Sequence, residues 1–207
     1  MLFLGSFWRE IAAALPALLL AISFHEYAHA RVAVAWGDPT PARQGRLTLN
    51  PLAHLDPLGT LLLIVARFGW ARPVEINPFY FQRHRRLAMI TVGLAGPGAN
   101  LLLAYAAAVA LTHWVSLGYL AGFLGWFMVY NLVLAAFNLI PLPPLDGSKV
   151  VGELLPASAR MAYWRLETYG PWVLLILVAT GMVGRIMSPL VQALMNVMVR
   201  AAGASFF

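Results

Sequence analysis

His25, Glu26 and His29 form an H-E-x-x-H sequence, His25-Glu26-Tyr27-Ala28-His29, inside a long apolar stretch. On a helix, residues four apart share a face, so both imidazoles can reach one zinc ion. Glu26 stands at the adjoining position, where a carboxylate can accept a proton from metal-bound water. So short a pattern can arise by chance, but its setting argues for function. An ionisable side chain in a membrane span costs about 2.5 to 3.5 kcal/mol on insertion scales, and one retained there marks a site. The chain has no cysteine, so a metal must be held by imidazole nitrogen or carboxylate oxygen.

Two histidines do not complete a zinc site, because catalytic zinc takes three protein ligands and leaves a fourth position to water. The metzincin extension needs Gly at position 32 and His at position 35, whereas this chain has Val32 and Ala35. The candidates for the third ligand are Asp146, Asp56, His54, Glu75 and Asp38. Asp146 lies in the segment from Asn138 to Gly147, where Pro141, Pro143 and Pro144 break an apolar stretch into extended chain. Asp146-Gly147 taken alone reads as an ordinary turn. Non-helical backbone at membrane depth, however, persists only when buried in protein or lining a wet cavity, and this favours Asp146.

The elements around these residues must be membrane helices. Of the 207 residues, 61% are hydrophobic and only 11% charged, against roughly 25% charged in soluble domains. With a mean hydropathy of +0.75, these proportions exclude a disordered chain, a solvated nucleic-acid-binding domain and a disulfide-stapled module. Four apolar stretches, about 7–36, 87–112, 119–140 and 171–199, are long enough for a bilayer core of roughly 30 Å. The last is interrupted at Gly184-Arg185 and Ser188-Pro189, and reads as one span followed by a shorter interfacial helix. A secretory signal at the N-terminus is disfavoured, since apolar character continues to Trp36, long enough to span.

The formal charge of +6 is a topology signal. Arg67, Arg72, Arg83, Arg85 and Arg86 precede the second stretch, Lys149, Arg160 and Arg165 follow the third, and 113–118 has no basic residue other than His113. The positive-inside rule places 37–86 and 141–170 in the cytoplasm and 113–118 outside. The apolar segment 57–66 is too short to cross and has basic flanks, so it reads as re-entrant, opened by Asp56 as N-cap and Pro57 at N1. Alternation at 45–50 and 73–77 predicts two short strands, a small β element at the membrane edge. His25 lies about eleven residues before the cytoplasmic end of its helix, roughly 16 Å along the axis. Asp146 meets it if the proline run turns back toward the bilayer. The expected architecture is a polytopic α-helical membrane protein of about four to five transmembrane helices, with all of 1–207 forming one domain.

The sequence resembles the site-2 protease family of intramembrane zinc metalloproteases, in its short form without PDZ or CBS domains. The resemblance covers nearly the whole chain. It rests on Phe24 to Ala30 around H-E-x-x-H, on the N-x-x-P…D-G element from Asn138 to Gly147, and on Gly96-Pro97-Gly98-Ala99-Asn100. It implies Zn2+ held by His25, His29 and Asp146, with Glu26 as catalytic acid/base. It also implies that Asn138 or Asn100 contacts the substrate or the developing oxyanion. Read from the residues alone, Asn131 and Asn138, seven apart, suit an interhelical hydrogen bond, and Gly93, Gly96 and Gly98 suit close helix packing. His54 and Asp56 suit support or capping better than ligation, while His84 and His113 suit the interface.

The expected reaction is hydrolysis of a peptide bond in or beside a transmembrane segment of a membrane-anchored protein. The expected setting is a prokaryotic cell membrane, with the site opening toward the cytoplasm. A prenyl-protein-processing H-E-x-x-H protease would need a downstream helical Glu motif that is absent. A metal transporter or inactive adaptor would need no carboxylate at position 26, so Glu26 argues for the enzyme.

Overall fold

The computed structural model describes residues 2–59, 71–81, 84–114 and 118–203, residues 2–9 by their backbone alone. Four of its helices are long and apolar enough to cross a membrane. They are α1 (Leu2–Ala35), whose spanning part is Glu10–Ala35, α3 (Arg85–His113), α4 (Tyr119–Asn138) and α8 (Met182–Ala201). Between them lie α2 (Thr40–Arg43), α5 (Asp146–Leu154), α6 (Ala157–Trp164) and α7 (Leu166–Ala179).

Helices α1, α3 and α4 pack as a three-helix core. Lipid tails are as apolar as leucine, so such helices associate by close van der Waals packing, and small residues at the contacts permit it. Ala17, Ala21, Ala104, Ala107 and Ala108 do this here around the fully buried Leu132, and α8 adds Val191, Leu194, Met195, Met198 and Val199. Helix α3 runs antiparallel to α1, which brings its middle against the H-E-x-x-H turn.

After α4 the chain turns back through the proline run, and α5 starts at Asp146 itself. A Cβ on Gly147 would lie 2.3 Å from the Leu139 carbonyl oxygen; only glycine lets α5 begin so close to the end of α4. Gly170 does the same for α7, where a Cβ would lie 2.1 Å from the Pro143 carbonyl oxygen. The proline run is thereby pinned between two helices.

The membrane segments expected at 7–36, 87–112 and 119–140 match α1, α3 and α4. The last stretch differs in order, since a 14-residue helix, α7, precedes the 20-residue α8. The break falls at Gly181, whose φ of 69° is left-handed, a conformation glycine adopts without steric cost. Ser188-Pro189 lies within α8, as membrane helices tolerate when neighbouring groups satisfy the freed backbone.

The small sheet expected from 45–50 and 73–77 does not form; the described residues contain only one antiparallel bridge, Leu55 to Ala71. The first segment is consumed by local turns. Thr48 Oγ1 accepts from Asn50 N–H, and Asn50 Oδ1 caps the 3-10 turn Pro51–Ala53. Residues 72–77 form no strand. Asp56 does cap a helical turn, accepting from Gly59 N–H at 2.7 Å. The rest of the proposed re-entrant segment, 60–66, lies outside the described residues.

Candidate metal centre

One helix, α1, supplies both histidines. His25 and His29 are buried on the face toward α3 and stand 3.1 Å apart, Nε2 to Nε2. Asp146, the first residue of α5, brings its Oδ2 to 3.1 Å from His25 Nε2 and 2.9 Å from His29 Nε2. Among the described residues these three alone form a group able to hold a metal.

Each imidazole is fixed from behind. His25 Nδ1 donates to Asn100 Oδ1 at 2.5 Å, and His29 Nδ1 donates to the Val92 carbonyl at 2.7 Å. With the outer nitrogens carrying the protons, both inner nitrogens are lone pairs, aimed at each other and at a carboxylate oxygen. Three electron-pair donors converging in a buried space are stabilised by a cation between them. Tetrahedral zinc with ligand distances near 2.0 Å needs donors about 3.3 Å apart, so the group has only to open slightly. The Lys149 ammonium, 2.9 Å from Oδ1, stabilises Asp146 as a carboxylate donor. The donors therefore suit zinc.

Space for the ion comes from α3. A Cβ on Gly96 would lie 2.4 Å from His29 Nε2 and 2.7 Å from His25 Nε2. Val92, Gly96 and Asn100 follow at four-residue spacing, so one face of α3 presents a carbonyl, a gap and an amide to the two imidazoles. Gly96 reads from sequence as a packing residue; the four-residue spacing to Asn100 was the signal for more.

Asn100 is fully buried and links three helices. Its Nδ2 donates to the Ala21 carbonyl and to Asn131 Oδ1, and Asn131 Nδ2 donates to the Phe127 carbonyl. Hydrogen bonds between membrane helices average only about 0.6 kcal/mol in double-mutant cycles. Stability is thus a small part of what this chain of amides provides, and its specific consequence is the orientation of His25. Asn138, the other expected oxyanion donor, gives one Nδ2 hydrogen to the Leu134 carbonyl of its own helix.

Glu26 is half-buried and faces another segment. Its Oε2 accepts the Val74 N–H at 3.1 Å, placing the segment 72–77 beside α1. That run is tied down along its length. The His54 carbonyl accepts Arg72 N–H, Gln44 donates to Glu75, and Asp38 Oδ2 accepts Asn77 N–H. Three of the other candidate ligands, His54, Asp38 and Glu75, therefore support the loop. His54 itself is fully buried, with Nε2 donating to the Thr48 carbonyl, and Arg46 hydrogen-bonds the neighbouring Ala53 carbonyl. His113 donates to the Ala202 carbonyl, and His84 lies near Trp36.

Comparison with known proteins agrees with this geometry. The description "Peptidase family M50" matches residues 113–180, which include Asp146. "Putative zinc metalloprotease YwhC" of Bacillus subtilis is 43% identical over 185 residues, covering 85% of this chain and 84% of that protein. The chain belongs to peptidase family M50, the site-2 proteases. Two proteins titled "Putative zinc metalloprotease Rip2" are also similar. The one from Mycolicibacterium smegmatis is 35% identical over 81% of this chain and 66% of its own length, and that of Mycobacterium tuberculosis H37Rv 32% over 77% and 63%. No solved structure matches the chain. As an M50 member the protein is a multi-pass membrane zinc metalloprotease, which disfavours the transporter and adaptor readings.

If Asn100 orients a ligand of this M50 site, Asn100→Leu, which keeps the branched shape without the polar atoms, should weaken zinc binding about 10- to 100-fold, as loss of a ligand's outer partner does. Competition with a chelator of known affinity measures it; unchanged affinity would contradict the role.

Proposed function

We propose that this chain, acting as one domain over 1–207, cuts membrane-anchored proteins near the cytoplasmic end of a transmembrane segment. His25, His29 and Asp146 hold the zinc, and Glu26 is the general acid/base. The observation that carries the reading is the convergence of His25 Nε2, His29 Nε2 and Asp146 Oδ2 within 3.1 Å of one another, beside Glu26. Zinc bound there lowers the pKa of a water and polarises the scissile carbonyl.

The chain's own residues do the rest. The Val74 N–H holds Glu26 Oε2, leaving Oε1 to accept the water proton and return it to the leaving amine. Asn100 and the Val92 carbonyl keep the imidazoles in the ligating tautomer. Asn100 Nδ2 gives its hydrogens to Ala21 and Asn131, whereas Asn138 Nδ2 gives one to Leu134 and keeps a second for the developing oxyanion.

The substrate must be extended to be cut. The main-chain groups of Glu75 and Ile76 have no hydrogen-bond partner among the described residues. An unwound substrate adding as a strand on the Val74 edge would pair with Ile76 and would lie alongside Glu26, because Val74 is already bonded to it. Substrates are thus proteins with a helix-destabilised stretch at the inner membrane boundary.

The orientation follows from charge. Arg43, Arg72, Arg85, Arg86, Lys149, Arg160 and Arg165 gather where α1 ends and α3 begins, against Arg9 and Arg200 at the other end. The site therefore opens toward the cytoplasm.

Glu26→Gln should keep zinc near one per chain yet slow cleavage of a membrane-anchored reporter by about 10²- to 10⁴-fold, the usual worth of general acid–base catalysis. Turnover near wild type in the purified variant would reject the assignment.

Single cysteines at Arg43, Arg72, Trp114 and Ser158 of this cysteine-free chain test the orientation with a membrane-impermeant thiol reagent on intact cells. Only the cysteine at 114 should label. Labelling at 72 without labelling at 43 would mean that 57–66 crosses the bilayer.

A further inference from the structure

Asp146 presents its two carboxylate oxygens to different partners. Both imidazoles face Oδ2, whereas Oδ1 accepts a hydrogen bond from Lys149 Nζ at 2.9 Å, three residues further along α5. The Lys149 side chain is 44% exposed and that of Asp146 7%, so the ammonium covers the carboxylate where the site meets water. Lys149 lies beside α3, where a Cβ on Gly93 would come to 3.8 Å from Lys149 Cβ. Lys149 is also the chain's one lysine, every other basic residue being arginine.

An ion pair with a partner this exposed adds little to stability, so its consequence is geometric. Carboxylates bind metals through one oxygen or through both. A catalytic zinc needs a coordination position left for water, and a second Asp146 oxygen would compete for it. We infer that Lys149 is a positioning residue that occupies Oδ1, restricts Asp146 to one-oxygen ligation and so keeps the water position open. The inference rests on reading His25, His29 and Asp146 as the ligands.

Cobalt(II) in place of zinc reads coordination directly, because its visible bands are strong in four-coordinate sites and weaken as further donors bind. Wild type should take one cobalt per chain with strong bands. Lys149→Met should keep one cobalt while the bands weaken several-fold and shift to shorter wavelength. Acetylation of folded wild-type protein at its one lysine should do the same, so the test does not depend on how the variant folds. Unchanged bands at one cobalt per chain, in both the variant and the acetylated protein, would overturn the inference alone. So would loss of cobalt from either while its helicity is intact. A wild type that takes no cobalt would overturn the ligand set, and this inference with it.

Discussion

Two imidazoles and a carboxylate can converge below the membrane surface only if each is held from behind by a group that does not move. Here those groups come from α3: the Val92 carbonyl for His29 and the Asn100 amide for His25. The rest of the core serves that arrangement. Asn100 is itself fixed by Ala21 on α1 and Asn131 on α4, so the orientation of one ligand depends on the register of three helices. Alanines at the contacts let them come close enough for these bonds to form.

Asp146 depends on a different device. A soluble helix end would leave its carbonyls to water, but here the end of α4 and the proline run lie against neighbouring helices. Glycines at 147 and 170 allow those approaches, each where a Cβ would overlap a carbonyl oxygen. The result is a helix start whose first residue meets both imidazoles. The segment 72–77 is held by four separate hydrogen bonds through Arg72, Val74, Glu75 and Asn77 rather than by a sheet.

The placement of His25, Glu26 and His29 was legible in the sequence because it is local. H-E-x-x-H brings both imidazoles to one face with a carboxylate beside them by helical period alone, and neither long-range packing nor turn chemistry can move them apart. Asp146 was legible because a proline run that breaks a membrane span must be buried in protein or line a wet cavity. The role of Asn100 was not, since an amide both donates and accepts, and only the register of α1 against α3 puts its oxygen on His25. The alternation at 45–50 suggested a strand. Asn50 and Thr48 instead spend their side chains on local backbone donors, and that competition is invisible to a period-two pattern. The hinge before α8 was misplaced for a related reason: Pro189 is the stronger sequence signal, but Gly181 is where the chain takes the left-handed turn.

The central claim is that Asp146 completes a zinc site begun by His25 and His29, while the equally buried His54 lies outside it. Metal analysis of purified Asp146→Ala and His54→Ala beside wild type tests this most directly. The account predicts about one zinc per chain in wild type and in His54→Ala, and marked loss in Asp146→Ala. Full zinc in Asp146→Ala, with loss in His54→Ala, would contradict it.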